Sequence, residues 1–262
     1  MTDPSRPARV WYQSFVHPGE QAPYIERLQT YLNKVAAPGV QYEVHGLDPP
    51  DRHFHPLTEF RCAAQVIRHA IEAERSGYDA MVIGHFQEPA LLEIRGTLDI
   101  PVIGLGEANL LAAMTMGRRL GLVTIDPAFI DWHERQVLAH GFDSRIVGVR
   151  AIRSDLPGFM RAFTDEAAYA KVREEFVAQV RPLVEAGAEV ILPAGGLPTL
   201  LFSRECPFTI DGALVLNGIA VVAKAAEMAL ALHRLTGAVV SRRGTYAKAS
   251  AACVEEYLRG RW

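Results

Sequence analysis

The sequence predicts an α/β protein built from two parallel sheets, and three observations carry the prediction. Short runs rich in Val, Ile and aromatic residues alternate with longer segments of helical apolar spacing, as parallel strands do with the helices that cover them. The chain also repeats itself in form. Tyr78-Asp79-Ala80-Met81-Val82-Ile83-Gly84-His85-Phe86-Gln87-Glu88-Pro89 has the same layout as Gly187-Ala188-Glu189-Val190-Ile191-Leu192-Pro193-Ala194-Gly195-Gly196-Leu197-Pro198, an apolar strand emptying into a tight turn before a helix. Finally, 262 residues of which 49% are apolar are enough to bury two sheets of about four strands each.

In chain order, strands are predicted at Arg9 to Val16, Val40 to His45, Ala80 to Gly84, Val102 to Gly104, Leu120 to Ile125, Arg145 to Val149 and Val190 to Pro193. Helices fill the gaps, with apolar faces such as Phe60, Ala64, Ile67 and Ile71, or Phe176, Val180 and Val184. A long helix is expected over about Ala213 to Leu235, and the tail has helical character from Ala247 to Leu258, where it would cap a core or a subunit contact. The apolar stretch Gly212 to Leu232 is interrupted by Asn217, Lys224 and Glu227, which suits a helix packed in a core and not one that spans a bilayer.

Charge narrows the function. Lys and Arg number 27 against 30 Asp and Glu, so there is no electrostatic footprint for nucleic acid, and Arg242-Arg243 with Lys248 is too sparse to make one. The polar segment Met1 to Arg9 carries no apolar signal, and a cytoplasmic protein with a small-molecule substrate is expected. Three cysteines, Cys62, Cys206 and Cys253, without a Cys-x-x-Cys pair, read as reduced thiols.

In open parallel sheets ligands bind beyond the carboxyl ends of the strands. Histidines gather there: His17 follows the first strand, His45 ends the second and His85 ends the third, with Glu88 just beyond. Imidazole can serve as a metal ligand or as an acid/base group near neutral pH. His53 and His55 have no helical His-Glu-x-x-His pattern around them and read as loop residues that are solvated or cap helices. Glu107 and Asp126, each before a helical run, are candidates for substrate binding or for helix capping. His133, in Asp131-Trp132-His133-Glu134, reads as a helix-surface residue within reach of the cleft. Gly195-Gly196 presents bare backbone N–H groups suited to a carboxylate or an oxyanion.

The two strand mouths, together with Asp99-Ile100-Pro101-Val102-Ile103-Gly104-Leu105-Gly106-Glu107-Ala108 and Ile210-Asp211-Gly212-Ala213, resemble the Asp/Glu/hydantoin racemase superfamily, and most strongly its hydantoin racemase branch. The resemblance implies two pseudosymmetric α/β domains, residues 1–98 plus 213–262 and residues 99–212, with the last long helix returning to the first domain and the substrate in the cleft between them. It implies no organic cofactor and makes a homo-oligomer the expectation. It also implies a catalytic cysteine at each strand mouth, one as base and one as acid. Those positions hold His85 and Ala194, and Cys206 lies too far past the second mouth to stand in.

Three readings follow. In the first, His85 with Glu88, His17 or His45 holds a divalent metal (Zn, Mn, Fe or Ni), and the protein is a hydrolase of a hydantoin-like cyclic amide or imide, with Gly195, Gly196 and Ala194 against the substrate. In the second, the protein remains a racemase or isomerase, with His85 as the proton-transfer base and Glu88 orienting its ring. In the third, it binds a small acid without turning it over.

Overall fold

The computed structural model describes residues 6–153 and 156–260. All seven predicted strands form: β1 Ala8–Gln13, β2 Val40–His45, β3 Ala80–Ile83, β4 Val102–Gly104, β5 Leu120–Thr124, β6 Ile146–Ala151 and β7 Val190–Ala194. Two short strands escaped the sequence reading, β8 Thr209–Ile210 and β9 Ala213–Val215. The helices are α1 Ala22–Val35, α2 Pro56–Arg75, α3 Leu91–Thr97, α4 Leu105–Met116, α5 Ala128–Ala139, α6 Leu156–Arg161, α7 Glu166–Glu185, α8 Gly196–Phe202, α9 Gly218–Thr236 and α10 Ala251–Arg259.

The first sheet has the order β2-β1-β3-β4 and is parallel throughout. The second has the order β6-β5-β7-β9-β8, parallel except for the β8/β9 pair. Period-two alternation divides the residues of the first sheet between two cores. Val10, Tyr12, Ala80 and Val82 join a large cluster shared with α1, α4, α9 and the second sheet, whereas Trp11, Met81 and Ile83 face a smaller one under α2 and α3.

Two expected boundaries move. β4 is the edge strand of the first sheet, so residues 99–104 belong with the first unit, and the crossing to the second sheet runs through α4. Residues 213–215 are a strand of the second sheet; the helix expected from Ala213 begins only at Gly218, where the Asn217 side chain caps it by accepting from the Ala220 N–H. α9 packs most extensively on α4 and also touches α1, β3 and β4 of the first sheet and α8 beside the second.

Registers place the active edge. Gln13 pairs with His45 and with Ile83, so β1, β2 and β3 end level, and Thr124 pairs with Ala151 and Ala194 in the second sheet. The strands of both sheets therefore deliver their carboxyl ends to facing edges of one cleft.

Candidate active site

Between those edges lies a cavity of about 450 Å³. Ser14 and Phe15 after β1, Gly84 and His85 after β3, Thr124 at the end of β5, and Ala194, Gly195 and Gly196 after β7 form its deep end. Phe54, from the loop after β2, and Phe129, from α5, meet above it with ring centroids 4.8 Å apart. The walls are mostly apolar side chains, so the few polar groups at the strand mouths act in a poorly solvated space.

His85 sits where the first strand mouth was expected to carry the reactive group. Its ring leans on Phe15, centroids 4.4 Å apart, and its Nδ1 is buried without a hydrogen-bond partner. Burial lowers its pKa to about 4, with the Asp51 and Glu88 carboxylates opposing that shift. The imidazole is therefore neutral, with a lone pair available, throughout the physiological range.

The second mouth is backbone. Gly195 has φ +149, a conformation that favours glycine. A Cβ on Gly196 would meet the Gly84 carbonyl oxygen at 2.8 Å, so only glycine lets the two mouths approach this closely. The first N–H groups of α8, like those of any helix, lack a preceding helical carbonyl.

The other residues expected at the site are engaged elsewhere. His17 Nδ1 accepts from the N–H groups of Gly19 (3.1 Å) and Glu20 (3.0 Å), closing a turn. His45 stacks on Trp11, centroids 3.4 Å apart, and pairs with the Tyr78 hydroxyl at 3.2 Å. Glu88 does not orient His85. At φ +57 it turns its buried carboxylate toward α4 and α5, where it accepts from the Glu107 N–H (2.6 Å) and lies 3.1 Å from Gln136 Nε2 and 3.3 Å from His140 Nε2. Glu107 pairs with Arg95, Oε2 to Nη2 2.5 Å, and Asp126 Oδ1 accepts from the Ala128 N–H at 2.8 Å in the turn that leads into α5; neither lines the cavity. As sequence suggested, His53 is exposed and His55 caps α2.

His85, His17, His45 and Glu88 thus do not converge. Among the described residues no group of three or more His, Cys, Asp or Glu side chains is placed to hold a metal ion. The expected divalent-metal site does not fit these residues.

His133 corrects the sequence reading in the other direction. It is fully buried, with Nδ1 3.3 Å from Gln136 Oε1 and Nε2 3.4 Å from Thr124 Oγ1, and it meets the Phe86 ring edge-on at 5.3 Å. Burial lowers its pKa to about 4. Thr124, Asp51 and Phe129 are cavity residues that sequence reasoning missed. Thr124 could have been found, since it is the penultimate residue of the strand predicted at Leu120 to Ile125.

The comparisons with known proteins agree with this architecture. The family model described as Asp/Glu/Hydantoin racemase matches residues 21–226. The chain belongs to the Asp/Glu/hydantoin racemase family. Among relatives, it is 31% identical over 180 residues to a hydantoin racemase of Rhizobium meliloti, covering 67% of this chain and 68% of that one. It is 26% identical over 202 residues to a hydantoin racemase of Pseudomonas sp. (strain NS671), covering 77% and 78% of the two chains. Among solved structures, the allantoin racemase from Klebsiella pneumoniae superposes with a TM-score of 0.74 at 25% identity, covering 93% of this chain and 94% of the other. Glutamate racemase isoform RacE1 from Bacillus anthracis shares the fold, with a TM-score of 0.61 at 14% identity and coverage of 88% and 83%. Within the family frame, this chain carries His85 and Ala194 at the two strand mouths. Among the described residues no helix is long and apolar enough to cross a membrane.

Proposed function

We propose that the protein is a racemase or isomerase acting on a small carbon acid of the hydantoin type, with His85 as the base that removes the proton beside a ring carbonyl. The observation that carries this reading is the placement of a neutral, unpartnered imidazole at the first strand mouth of a mostly apolar cavity. The family and the names of the hydantoin and allantoin racemase relatives support the substrate class.

The chemistry follows from the environment. A hydantoin carbon between a carbonyl and a ring nitrogen is acidic enough for one positioned base. As His85 takes its proton, the electron pair moves into the carbonyl and negative charge grows on oxygen. Backbone N–H groups at Gly195 to Leu197, which line the same cavity, would receive that charge, and the apolar walls strengthen the interaction by excluding water. No organic cofactor enters. The hydrolase reading loses its support because it needed His17, His45 or Glu88 beside His85.

The test is hydrogen exchange. Single enantiomers of 5-isobutylhydantoin and of allantoin are incubated with the protein in D2O and followed by proton NMR and chiral chromatography. Exchange at the stereocentre without ring opening, reduced about 10²- to 10⁴-fold in His85→Ala, is the expected result. Ring opening without exchange would overturn the reading in favour of a hydrolase, and saturable binding with neither would favour a carrier.

A further inference from the structure

Ala194 leaves the second strand mouth without a side chain that can carry a proton. Yet inversion of a stereocentre needs a proton on the face opposite His85. The neighbouring strand supplies a hydroxyl. Thr124 pairs directly with Ala194 in the register of β5 and β7, and it lines the same cavity.

Behind Thr124 stands a fully buried chain of polar side chains whose hydrogen-bond directions can be deduced. Gln136 Nε2 contacts two groups that can only accept, the Phe86 carbonyl and Glu88 Oε2 at 3.1 Å, so its amide nitrogen is fixed there. The amide oxygen is therefore the atom 3.3 Å from His133 Nδ1, which must carry the hydrogen. This leaves the lone pair of His133 on Nε2, 3.4 Å from Thr124 Oγ1. A hydroxyl on a cavity-lining residue, an imidazole with a free lone pair behind it and a third group holding the tautomer together form the arrangement by which proteins activate hydroxyl groups. The Ala194 backbone nearby favours the cationic form of His133.

We propose that Thr124 is the second catalytic residue, exchanging protons with the substrate on the face opposite His85, and that His133 and Gln136 position it and relay its proton. The proposal rests on the function proposed above and adds the group that makes it a two-face reaction. In one direction His85 breaks the C–H bond and takes the proton, leaving the electron pair as the enolate. The negative enolate draws a proton from water onto His133, which replaces the hydroxyl proton that Thr124 gives to the carbon. In the other direction Thr124 oxygen takes the carbon proton while its own passes to His133 Nε2, and the enolate takes a proton on the opposite face from His85, which draws one from water in the same way. Each turnover leaves one imidazole protonated, and its loss of that proton to water returns the site to its neutral state.

Thr124→Val keeps the shape of the side chain and removes the hydroxyl; Thr124→Ser restores it. Both are compared with the native chain on each enantiomer of 5-isobutylhydantoin in D2O, after thermal unfolding has shown that they fold. The expected result is that Thr124→Val still exchanges deuterium into the enantiomer whose proton faces His85, with configuration retained, while inversion falls at least about a hundredfold. Exchange from the other enantiomer falls with it, and Thr124→Ser recovers most of the inversion. His133→Asn should reproduce the valine phenotype. Inversion at the native rate in Thr124→Val would overturn the relay while leaving His85 as base. Equal loss of exchange from both enantiomers would show that Thr124 is only structural. No exchange in the native protein would sink the His85 reading itself, and the relay with it.

Discussion

The carbonyl oxygen of Gly84 lies 2.8 Å from where a Cβ on Gly196 would be, so the two strand mouths meet backbone against backbone. Gly196→Ala is expected to push the mouths apart. The obstacle is a carbonyl fixed at the end of a sheet and not a side chain that can swing aside. Overpacking of this kind costs about 1–3 kcal/mol. The variant should fold with a lowered Tm and lose most of its turnover, which thermal unfolding and a racemization assay would measure together.

The activity should be insensitive to mild acid. Because burial holds His85 at about 4, kcat/KM should stay level as pH drops through 6.5, where an exposed imidazole would already be protonated, and fall only as pH approaches 4. A pH–rate profile breaking near 6.5 would show that another group is the base.

Stability should behave differently from activity over the same interval. His45, His85 and His133 are all lowered to about 4 by burial, whereas in the unfolded chain they titrate near 6.5. Between those values the unfolded state binds protons that the folded state excludes, so stability falls as pH falls from about 6.5 to 4. His140, raised by its contact with Glu88, works in the opposite sense, with its contribution complete below 6.5 and lost as pH rises. His69, also lowered by burial, adds to the three, while Glu59, which burial raises to about 7, joins His140 on the other side; four groups against two set the direction. Tm measured at pH 7 and at pH 5 should be lower at pH 5, and His85→Gln should flatten part of the slope.

Glu88 contributes to architecture. Its φ of +57 carries a cost of about 1–2 kcal/mol for a residue with a side chain, offset by the bonds from the α4 backbone, Gln136 and His140. Glu88→Ala would leave the buried amide of Gln136 short of one acceptor and free that side chain to turn. A loss of about 1–3 kcal/mol is expected in urea unfolding. Inversion should fall more than exchange from the His85 face, because Gln136 sets the tautomer of His133.

Phe54 and Phe129 close the cavity from opposite sheets. Removing one ring with Phe54→Ala should raise KM roughly 2- to 13-fold, the range given by an aromatic pair of about 0.5–1.5 kcal/mol, and leave kcat within about twofold. Steady-state kinetics on either enantiomer would separate the two constants.

Much of this fold could be read from periodicity, because parallel strands buried on both faces write continuous apolar runs such as Ala80 to Ile83 and Val190 to Ala194. β8 and β9 were missed because strands of two and three residues have no period to detect. The site was half legible. His85, Ala194, Gly195 and Gly196 lie at strand mouths, and their position alone placed them at the cavity. Glu88, His45 and His17 lie equally close to strand ends, but what they touch depends on φ at Glu88, on stacking against Trp11 and on a local turn, none of which spacing encodes. His133 failed the opposite way. One polar residue on a helix among Asp131, Glu134 and Arg135 reads as surface, yet the helix turns that residue inward.

The return of α9 onto α1, β3 and β4 carries a consequence for how the protein is made. The first unit takes one of its covering helices from residues 218–236, after the whole second sheet has been synthesised. A ribosome feeding the chain out from the amino terminus therefore exposes β1 to β4 with one flank of their core uncovered until residues 218–236 have emerged. The second unit, contiguous in the chain, is free to fold first and to act as a clamp that holds the ends of the unfinished unit together.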